Sequence, residues 1–333
     1  MVTVWRMNAP RCNPLDYINF LLATPGVASA TEAARVQPAK ANAPAHDAFT
    51  RLLHRLEPDP EALWQEVKPF VRTQGGLLIL DDSALDKPYA RHMGLVGRFW
   101  SGAHRRIVQG ISLVTLLWTD GDGLWPCGYR LVDPARGKAV TKNDLFRAML
   151  TIAHGRGLRP ACVCCDSWYS GKDNLKAIRA LGWAFLAPVR CNRRVNLDRQ
   201  GNRAIQELDI AAGGAVVHLE GFGLVKAFRI VASNGHTERW ITNDLQMDET
   251  ARLGVEEYHR GLKQHCGVEA APVRHKQAQA NHIGCAIRAL VRLEYHRFTT
   301  GVSWFEAKMG ILREALRRYL AHPLLILPHA STA

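Results

Sequence analysis

The order of apolar segments between residues 75 and 189 restricts the possible fold more than any other feature of this sequence. Gly75 to Leu80 (GGLLIL) is a short apolar run before the acidic pair Asp81-Asp82, a pattern typical of a central buried strand. The later segments predict, in order, strands at 106–119 and 124–132, a helix at 142–154, a strand at 161–166, a helix at 171–181 and a strand at 183–189. This order is that of an α/β domain and excludes a helical bundle or a β-sandwich.

The segments on either side of this α/β region predict three further parts of the chain. Residues 1–72 are predicted as short helices, the third of which is basic and carries Arg51 and Arg55. This pattern is typical of a helix-turn-helix DNA reader, although a plain helical cap on the next domain explains it equally well. Residues 73–190 would form the first part of the core, 191–246 a β-rich insertion, and 247–333 a mostly helical end.

The charge of the chain favours a polyanionic partner. Lys and Arg number 43 against 30 Asp and Glu, which gives a net charge of +13 and a pI near 9.6. Nucleic acid is the commonest partner of so basic a protein. A hydrophobic content of 47% excludes a disordered chain, and the apolar run at 111–118 is far shorter than the ~18–20 residues of a membrane span. Eight scattered cysteines predict no disulfide framework and fit a reducing cytoplasm.

Three acidic positions stand out as candidates for chemistry. Asp81-Asp82 follows the GGLLIL strand, Asp166 ends the strand at 161–166, and Glu256-Glu257 lies in the helical segment VEEYHRGLKQ. Carboxylates at the ends of neighbouring strands face the same crevice, where open α/β sheets bind ligands. Hard oxygen ligands suit Mg²⁺ or Mn²⁺, and two such ions can promote an in-line phosphodiester displacement. The alternative for each Asp taken singly is that it merely caps a turn or helix.

Helical geometry favours Glu256 over Glu257 as the third acid. Val255, Tyr258 and Leu262 form an apolar stripe; Glu256 lies on its flank and Glu257 nearly opposite it.

Several cations are candidate DNA contacts. Arg260 and Lys263 would hold a phosphate beside Glu256, unless Glu256 and Arg260 form only an i, i+4 ion pair. Arg274 and Lys276 flank a histidine in a short basic run that predicts a contact with the DNA backbone, although such runs are usually solvated faces.

Taken together, these motifs resemble the DDE transposases of bacterial insertion sequences. The resemblance rests on Asp81-x-Ser83, on Cys165 to Ser170 (CDSWYS), and on Val255 to Gln264 (VEEYHRGLKQ). The resemblance is to the group of these transposases whose third acid lies in a Tyr-x2-Arg-x3-Glu-x6-Lys signature. It extends over nearly the whole chain. Further likeness lies toward the C-terminus, at Asn281-His282, Arg288, Leu293-Glu294 and Trp304 to Lys308 (WFEAK).

The resemblance implies a ribonuclease-H-like core interrupted by the β-rich insertion, and an enzyme that acts as a DNA endonuclease and strand transferase. It implies cleavage at terminal inverted repeats and strand transfer into target DNA, with two Mg²⁺ or Mn²⁺ ions, by a homodimer in the synaptic complex. Asp81, Asp166 and Glu256 would be the catalytic metal ligands, with Asp82 as the alternative first acid. Lys263 and Arg252 fall on the signature Lys and Arg. A bacterial transposase would be cytoplasmic and associated with the nucleoid.

Two departures from the family pattern keep other functions open. Glu249 stands where the signature has Tyr, and residues 244–255 form a shorter segment than is typical of the family. A catalytically degenerate copy that only binds DNA, as a relic or repressor of its element, is therefore the main alternative. A structure-specific nuclease that acts on branched DNA would share the metal site.

Overall fold

Eleven strands among the described residues form one mixed sheet. The computed structural model describes residues 9–102, 104–211, 213–231, 237–247 and 263–323. The predicted site residues Arg252, Glu256 and Arg260 lie outside these ranges. The strands are β1 Leu77–Asp86, β2 Gly97–Ser101, β3 Arg106–Thr119, β4 Leu124–Leu131, β5 Cys162–Cys165, β6 Phe185–Val189, β7 Arg194–Asn196, β8 Arg203–Ala204, β9 Ala215–Leu219, β10 Gly223–Val231 and β11 Thr237–Thr242.

The order of strands across the sheet is β2-β3-β1-β5-β6-β11-β10-β9-β7-β8, and β4 also pairs with β3. Only the β1–β5 and β5–β6 pairs are parallel; the other pairs are antiparallel. The chain is therefore mixed α/β with a mostly antiparallel sheet, which agrees with the predicted class in its coarse form. Strands β2, β7 and β8, none of which was predicted individually, are short and lie toward the two ends of this order.

The helices with the most regular apolar patterns begin and end close to where the sequence predicts. The helices are α1 Pro14–Ala23, α2 Ala30–Arg35, α3 His46–Arg55, α4 Pro60–Val67, α5 Lys142–Gly155, α6 Lys172–Ala180, α7 Lys276–Thr300 and α8 Trp304–Ala321, with short 3-10 turns at Lys68–Phe70, Pro134–Ala139 and Ile205–Glu207. Capping boxes at Asn13 and Thr141 fix the starts of α1 and α5. None of the described helices is both long and apolar enough to cross a membrane.

The first strand is longer than the sequence predicts, and this changes the position of its acids. Asp81 and Asp82 were expected just beyond the end of the strand, but β1 continues to Asp86 and both lie within it. The cause is β3, whose antiparallel pairing with β1 runs without a break from Leu77↔Thr119 to Asp86↔Gly110. At Gly110 an added Cβ would lie 2.5 Å from the carbonyl oxygen of Leu85, so only glycine permits this close pairing.

The apolar character of β1 ends where its second neighbour ends. The parallel partner β5 pairs with β1 only from Leu77↔Cys162 to Leu80↔Cys165. Beyond Leu80 the strand is therefore open on that side, and polar residues are tolerated there. The end of the apolar run thus marks the point where β1 loses its neighbour β5, and not the end of β1 itself.

The front helices pack against the C-terminal helix α7. Tyr17 of α1 and Phe49 of α3 are fully buried, and both helices contact α7. The side chain of Asn281 in α7 donates to the carbonyl oxygens of Leu53 and Leu56 at 2.8 and 2.6 Å. This packing leaves the outer side of α3, with Arg51, exposed.

The strands described within residues 191–246 continue the sheet and do not form a separate layer. Strand β11 returns from this segment and pairs antiparallel with β6, from Leu186↔Thr242 to Val189↔Arg239. Strands β10, β9, β7 and β8 follow outward. The β-rich segment therefore continues the sheet beyond β6, and β6 is the neighbour of β5, the strand that precedes Asp166.

Candidate active site

Asp81 and Asp166 occupy equivalent positions on two adjacent parallel strands. Leu80 of β1 pairs with Cys165 of β5, and each acid is the next residue of its chain. Parallel register therefore brings the two carboxylates to the same level of the sheet, at the point where β5 ends. The structure thus brings together two of the three predicted acids.

A tight turn orients the carboxylate of Asp166. Its Oδ1 accepts hydrogen bonds from the backbone N–H groups of Trp168 at 3.0 Å and Tyr169 at 3.3 Å. This is the capping arrangement that the sequence offered as the alternative role of such an Asp. The other carboxylate oxygen is not used by this turn, so capping and ligand binding are compatible at this residue.

The electrostatic environment of Asp166 is unfavourable for its negative charge. Asp166 is an exposed residue, yet partial desolvation of its carboxyl group and the nearby charges of Asp81 and Asp82 raise the pKa of Asp166 to about 7. Like charges held close together in this way favour either a proton or a bound cation. The carboxyl pair therefore has the electrostatics of a cation site.

Asp82 projects from the opposite face of β1, since successive side chains of a strand alternate between faces. Its Oδ2 lies 2.5 Å from the Nζ of Lys142, and its Oδ1 accepts a hydrogen bond from the hydroxyl of Tyr169 at 2.9 Å. Burial and the charge of Asp82 raise the pKa of Tyr169, so the phenol keeps its proton and donates. Asp82 therefore forms an ion pair and a hydrogen bond on the face of β1 that points away from Asp81.

Lys142 and Tyr169 were not predicted as site residues. The ring of Tyr169 is fully buried and stacks on Phe146 of α5, with ring centroids 4.8 Å apart. Through its backbone N–H and its hydroxyl, Tyr169 connects the Asp166 turn to β1. The signal in the sequence was an aromatic residue three positions after the acid, but its partner, Asp82, is 87 residues away.

The third predicted acid, Glu256, lies outside the described residues, as do Arg252 and Arg260. Lys263, seven positions after Glu256, is described, and its Nζ donates to the carbonyl oxygen of Ala84 in β1 at 3.0 Å. The same Nζ lies 3.3 Å from Glu269, whose Oε1 accepts from the backbone N–H of Asp86 at 2.9 Å. The chain that follows the predicted third acid is therefore attached to β1, three residues from Asp81.

A complete metal-binding cluster is not present in the described part of the chain. Within those ranges, no group of three or more His, Cys, Asp or Glu side chains is arranged to hold a metal ion. Asp81 and Asp166 supply two hard oxygen donors, which suit Mg²⁺ or Mn²⁺, and no sulfur or imidazole ligand is required. The two acids therefore fit a divalent ion as part of a larger ligand set.

The remaining predicted DNA contacts differ in their surroundings. Arg51 is exposed and pairs with Asp47 at 2.5 Å, and the guanidinium of Arg55 donates to the carbonyl oxygen of Cys12. The side chain of Lys276 is half exposed and lies 2.5 Å from Asp133, while Arg274 is exposed at the same surface.

The C-terminal residues that carried part of the family resemblance hold the structure together. Glu294, which is fully buried, accepts hydrogen bonds from the backbone of Leu124 at 2.6 Å and from the indole of Trp304 at 2.8 Å. Lys308 donates to the carbonyl oxygens of Leu21 and His265. These motif residues therefore connect segments that are far apart in the sequence.

His282 and Arg288 also connect α7 to other segments of the chain. Burial lowers the pKa of His282 to about 4, so the neutral ring donates from Nε2 to the carbonyl oxygen of Gly267 and accepts at Nδ1 from the hydroxyl of Tyr17. Arg288 forms a short ion pair, at 2.5 Å, with Glu66 of α4.

A similar fold is found in a solved transposase. The cryo-EM structure of the piggyBac transposase synaptic complex with hairpin DNA superimposes with a TM-score of 0.50 at 12% sequence identity. The match covers 97% of this chain and 77% of that chain. No curated protein matches the sequence significantly.

Two family models match the sequence itself, each over more than half of its 333 residues. The model described as a DDE superfamily endonuclease matches residues 15–205, and the model described as a transposase DDE domain matches residues 119–292. The two matches overlap across β5 and Asp166 and together include both candidate acids. The chain therefore belongs to the DDE superfamily of transposases and endonucleases.

Proposed function

We propose that this protein is a transposase that cleaves DNA at the ends of an insertion sequence and transfers the cut strand into target DNA. Asp81, Asp166 and Glu256 would hold two divalent ions, Mg²⁺ or Mn²⁺. The observation that carries the proposal is the placement of Asp81 and Asp166 at the same level of adjacent parallel strands, with the pKa of Asp166 raised to about 7. This arrangement concentrates negative charge where a metal-dependent phosphodiester reaction needs it.

The order of the strands around the acids supports a ribonuclease-H-like core over residues 73–190. Strands β1, β3 and β4 form an antiparallel meander, and β5 and β6 follow on the other side of β1, both parallel to their neighbour. Residues 191–246 would be the insertion, residues 1–72 the DNA-binding front, and residues 247–333 the part that carries the third acid. The continuity of β11 with β6 would place the insertion beside the cleavage site.

Each of these residues would have its own role in the reaction. When bound, the divalent ions would activate the attacking water or hydroxyl and stabilise the leaving oxygen. Asp166 would give up its proton on loading, because a carboxyl group whose pKa is about 7 is partly protonated at neutral pH. Tyr169 and Lys142, through Asp82, would hold the Asp166 turn against β1 so that the two acids keep their spacing.

The proposed partners follow from the reaction. The substrates would be the terminal inverted repeats of the element and a target DNA, and two copies of the chain would act together on two ends. A protein with these substrates would act in the bacterial cytoplasm, at the nucleoid.

The test is cleavage of DNA that carries the inverted repeats flanking the gene of this protein. With Mg²⁺ we expect the wild type to cut at the repeat ends and Asp81→Asn and Asp166→Asn to be inactive. Asp198→Asn, which removes an exposed carboxylate paired with Arg203, is the matched control and should cut normally. Wild-type protein that does not cut, or Asp166→Asn protein that cuts fully, would refute the proposal.

Asp82→Asn separates the two candidates for the first acid. If Asp81 is the ligand, Asp82→Asn protein should retain measurable cleavage and lose mainly stability, because Asp82 faces Lys142 and Tyr169. Complete loss of cleavage by Asp82→Asn in a folded protein, with activity retained in Asp81→Asn, would assign the role to Asp82.

A catalytically degenerate DNA-binding protein is the second candidate, and Glu249 at the position of the signature Tyr favours it. Such a protein would bind the repeat ends with strong salt dependence, would be indifferent to chelation of divalent ions, and would not nick DNA. The same cleavage assay, run beside a binding assay in EDTA, distinguishes the two candidates.

A further inference from the structure

A basic cleft of about 750 Å³ opens beside the Asp166 turn. Ser167 and Trp168, the two residues that follow Asp166, line it, and so does the first residue of α6. Its other walls are the connection between β6 and β7, with the first residue of β7, and the turn between β9 and β10 at 220–221. The cleft therefore lies between the core and the β-rich segment.

The charge of the cleft is strongly one-sided. Four cations line it, Lys172, Arg190, Arg193 and Arg194, against one acid, Glu220. Arg193 is fixed in the wall by a hydrogen bond from its Nη2 to the carbonyl oxygen of Ser170 at 3.1 Å. The other three cations are exposed residues. Four positive charges around one cleft repel one another, so the cleft suits an anion that binds among them.

The wall opposite the Asp166 turn is held in place by specific contacts. Arg179 of α6 donates to the carbonyl oxygen of Phe222 at 2.9 Å and lies 4.2 Å from the centroid of its ring. Gly221 has a φ of 72°, and an added Cβ there would lie 2.9 Å from Cδ of Lys172. The turn therefore packs directly on the side chain of Lys172, and this contact holds the cation in the wall of the cleft.

We infer that this cleft binds the phosphate backbone of the DNA strand that enters the active site. The inference rests on the proposed function, since it supplies the path by which that DNA reaches Asp81 and Asp166. The positively polarised first turn of α6, which begins after Gly171, opens onto the same cleft and adds to the attraction for phosphate. The main electrostatic contact with the strand is therefore assigned to the four cations of this cleft, and not to Arg274 and Lys276.

The test measures DNA binding without divalent metal, so that it does not depend on cleavage. The double variant Lys172→Gln/Arg190→Gln removes two cations from the cleft. The control Lys176→Gln/Arg317→Gln removes two exposed cations outside it, one of them a turn further along α6, and leaves the same net charge. The readout is the dissociation constant for a fluorescent repeat-end duplex in EDTA at several salt concentrations.

We expect the cleft variant to bind roughly tenfold more weakly per lost phosphate contact near 0.1 M salt, with a salt slope smaller by about two. The control variant should retain the wild-type slope. Equal slopes for the two variants would overturn the inference.

The cleavage assay separates this inference from the proposed function. If Asp166→Asn abolishes cleavage but the cleft variant binds as the wild type does, the function stands and the cleft assignment is wrong. If the cleft variant loses binding while the wild type never cuts, the cleft assignment stands and the transposase activity is refuted.

Discussion

The hydroxyl of Tyr169 offers a sharp test of how the Asp166 turn is held. Tyr169→Phe removes only this group and keeps the ring stacked on Phe146. The lost hydrogen bond, 2.9 Å long, is made to the carboxylate of Asp82, which stays paired with Lys142. Hydrogen bonds to charged groups contribute about 1.5–3 kcal/mol, so we expect the free energy of unfolding to fall by about that amount.

Two measurements follow this change. Urea unfolding followed by tryptophan fluorescence gives the stability, with Tyr295→Phe as the control because that side chain is 46% exposed and should change stability by less than about 0.5 kcal/mol. Titration with Mn²⁺ gives the effect on the acids. We expect affinity to weaken by about tenfold, because the hydroxyl bond to Asp82 helps to hold the turn that orients Asp166. If Tyr169→Phe is no less stable than the control and binds Mn²⁺ equally well, the hydroxyl does not hold the turn.

Three further changes have outcomes that the structure specifies. Without metal, the protein should become less stable as pH rises from about 4 to about 7, because folded Asp166 keeps its proton up to a pKa of about 7 while the unfolded residue loses it near 4. Asp81→Asn removes one cause of the raised pKa and leaves burial, so thermal melts at stepped pH should show a weaker dependence; an unchanged dependence would show that the charge of Asp81 does not contribute. Glu294→Ala should reduce the free energy of unfolding in urea by about 3–5 kcal/mol, since it breaks the ion pair of a buried carboxylate with Arg297 and leaves the indole of Trp304 without its acceptor; a loss below 1 kcal/mol would show that these donors find other partners. Gly110→Ala should cost about 1–3 kcal/mol because its Cβ would meet a backbone oxygen of β1 at 2.5 Å, whereas Gly26→Ala, with open space around it, should cost far less in the same urea assay.

Periodicity was sufficient to predict most of the core elements. Strand β3 runs from Arg106 to Thr119, as its apolar run predicts, and α1 and α5 match their predicted limits to within one residue. These elements carry long apolar patterns with clear capping or turn residues, so local sequence decides them. Strands β2, β7 and β8 are short, and their pairing depends on neighbours that local sequence does not reveal.

The position of the acids could be predicted only in part. The closeness of Asp81 and Asp166 could be predicted, because each acid follows an apolar run that forms a strand. The continuation of β1 to Asp86 was missed, since it depends on the length of β3 and not on the residues of β1 itself. The roles of Lys142 and Tyr169 were missed for a similar reason, because their partner Asp82 lies 60 and 87 residues away.

The ties made by α7 have a consequence for how the chain reaches its folded state. The side chain that satisfies the carbonyl oxygen of Leu53 belongs to Asn281, 228 residues later, and the partner of Tyr17 is His282. A growing chain therefore exposes the apolar faces of α1 and α3 until nearly the whole protein has been synthesised. Such long sequence separations slow folding and prolong exposure to aggregation. A gene cut short before α7 would produce α1 and α3 without the helix that covers their apolar faces, so truncated copies of this protein should be removed by proteolysis and should not persist as competing DNA binders.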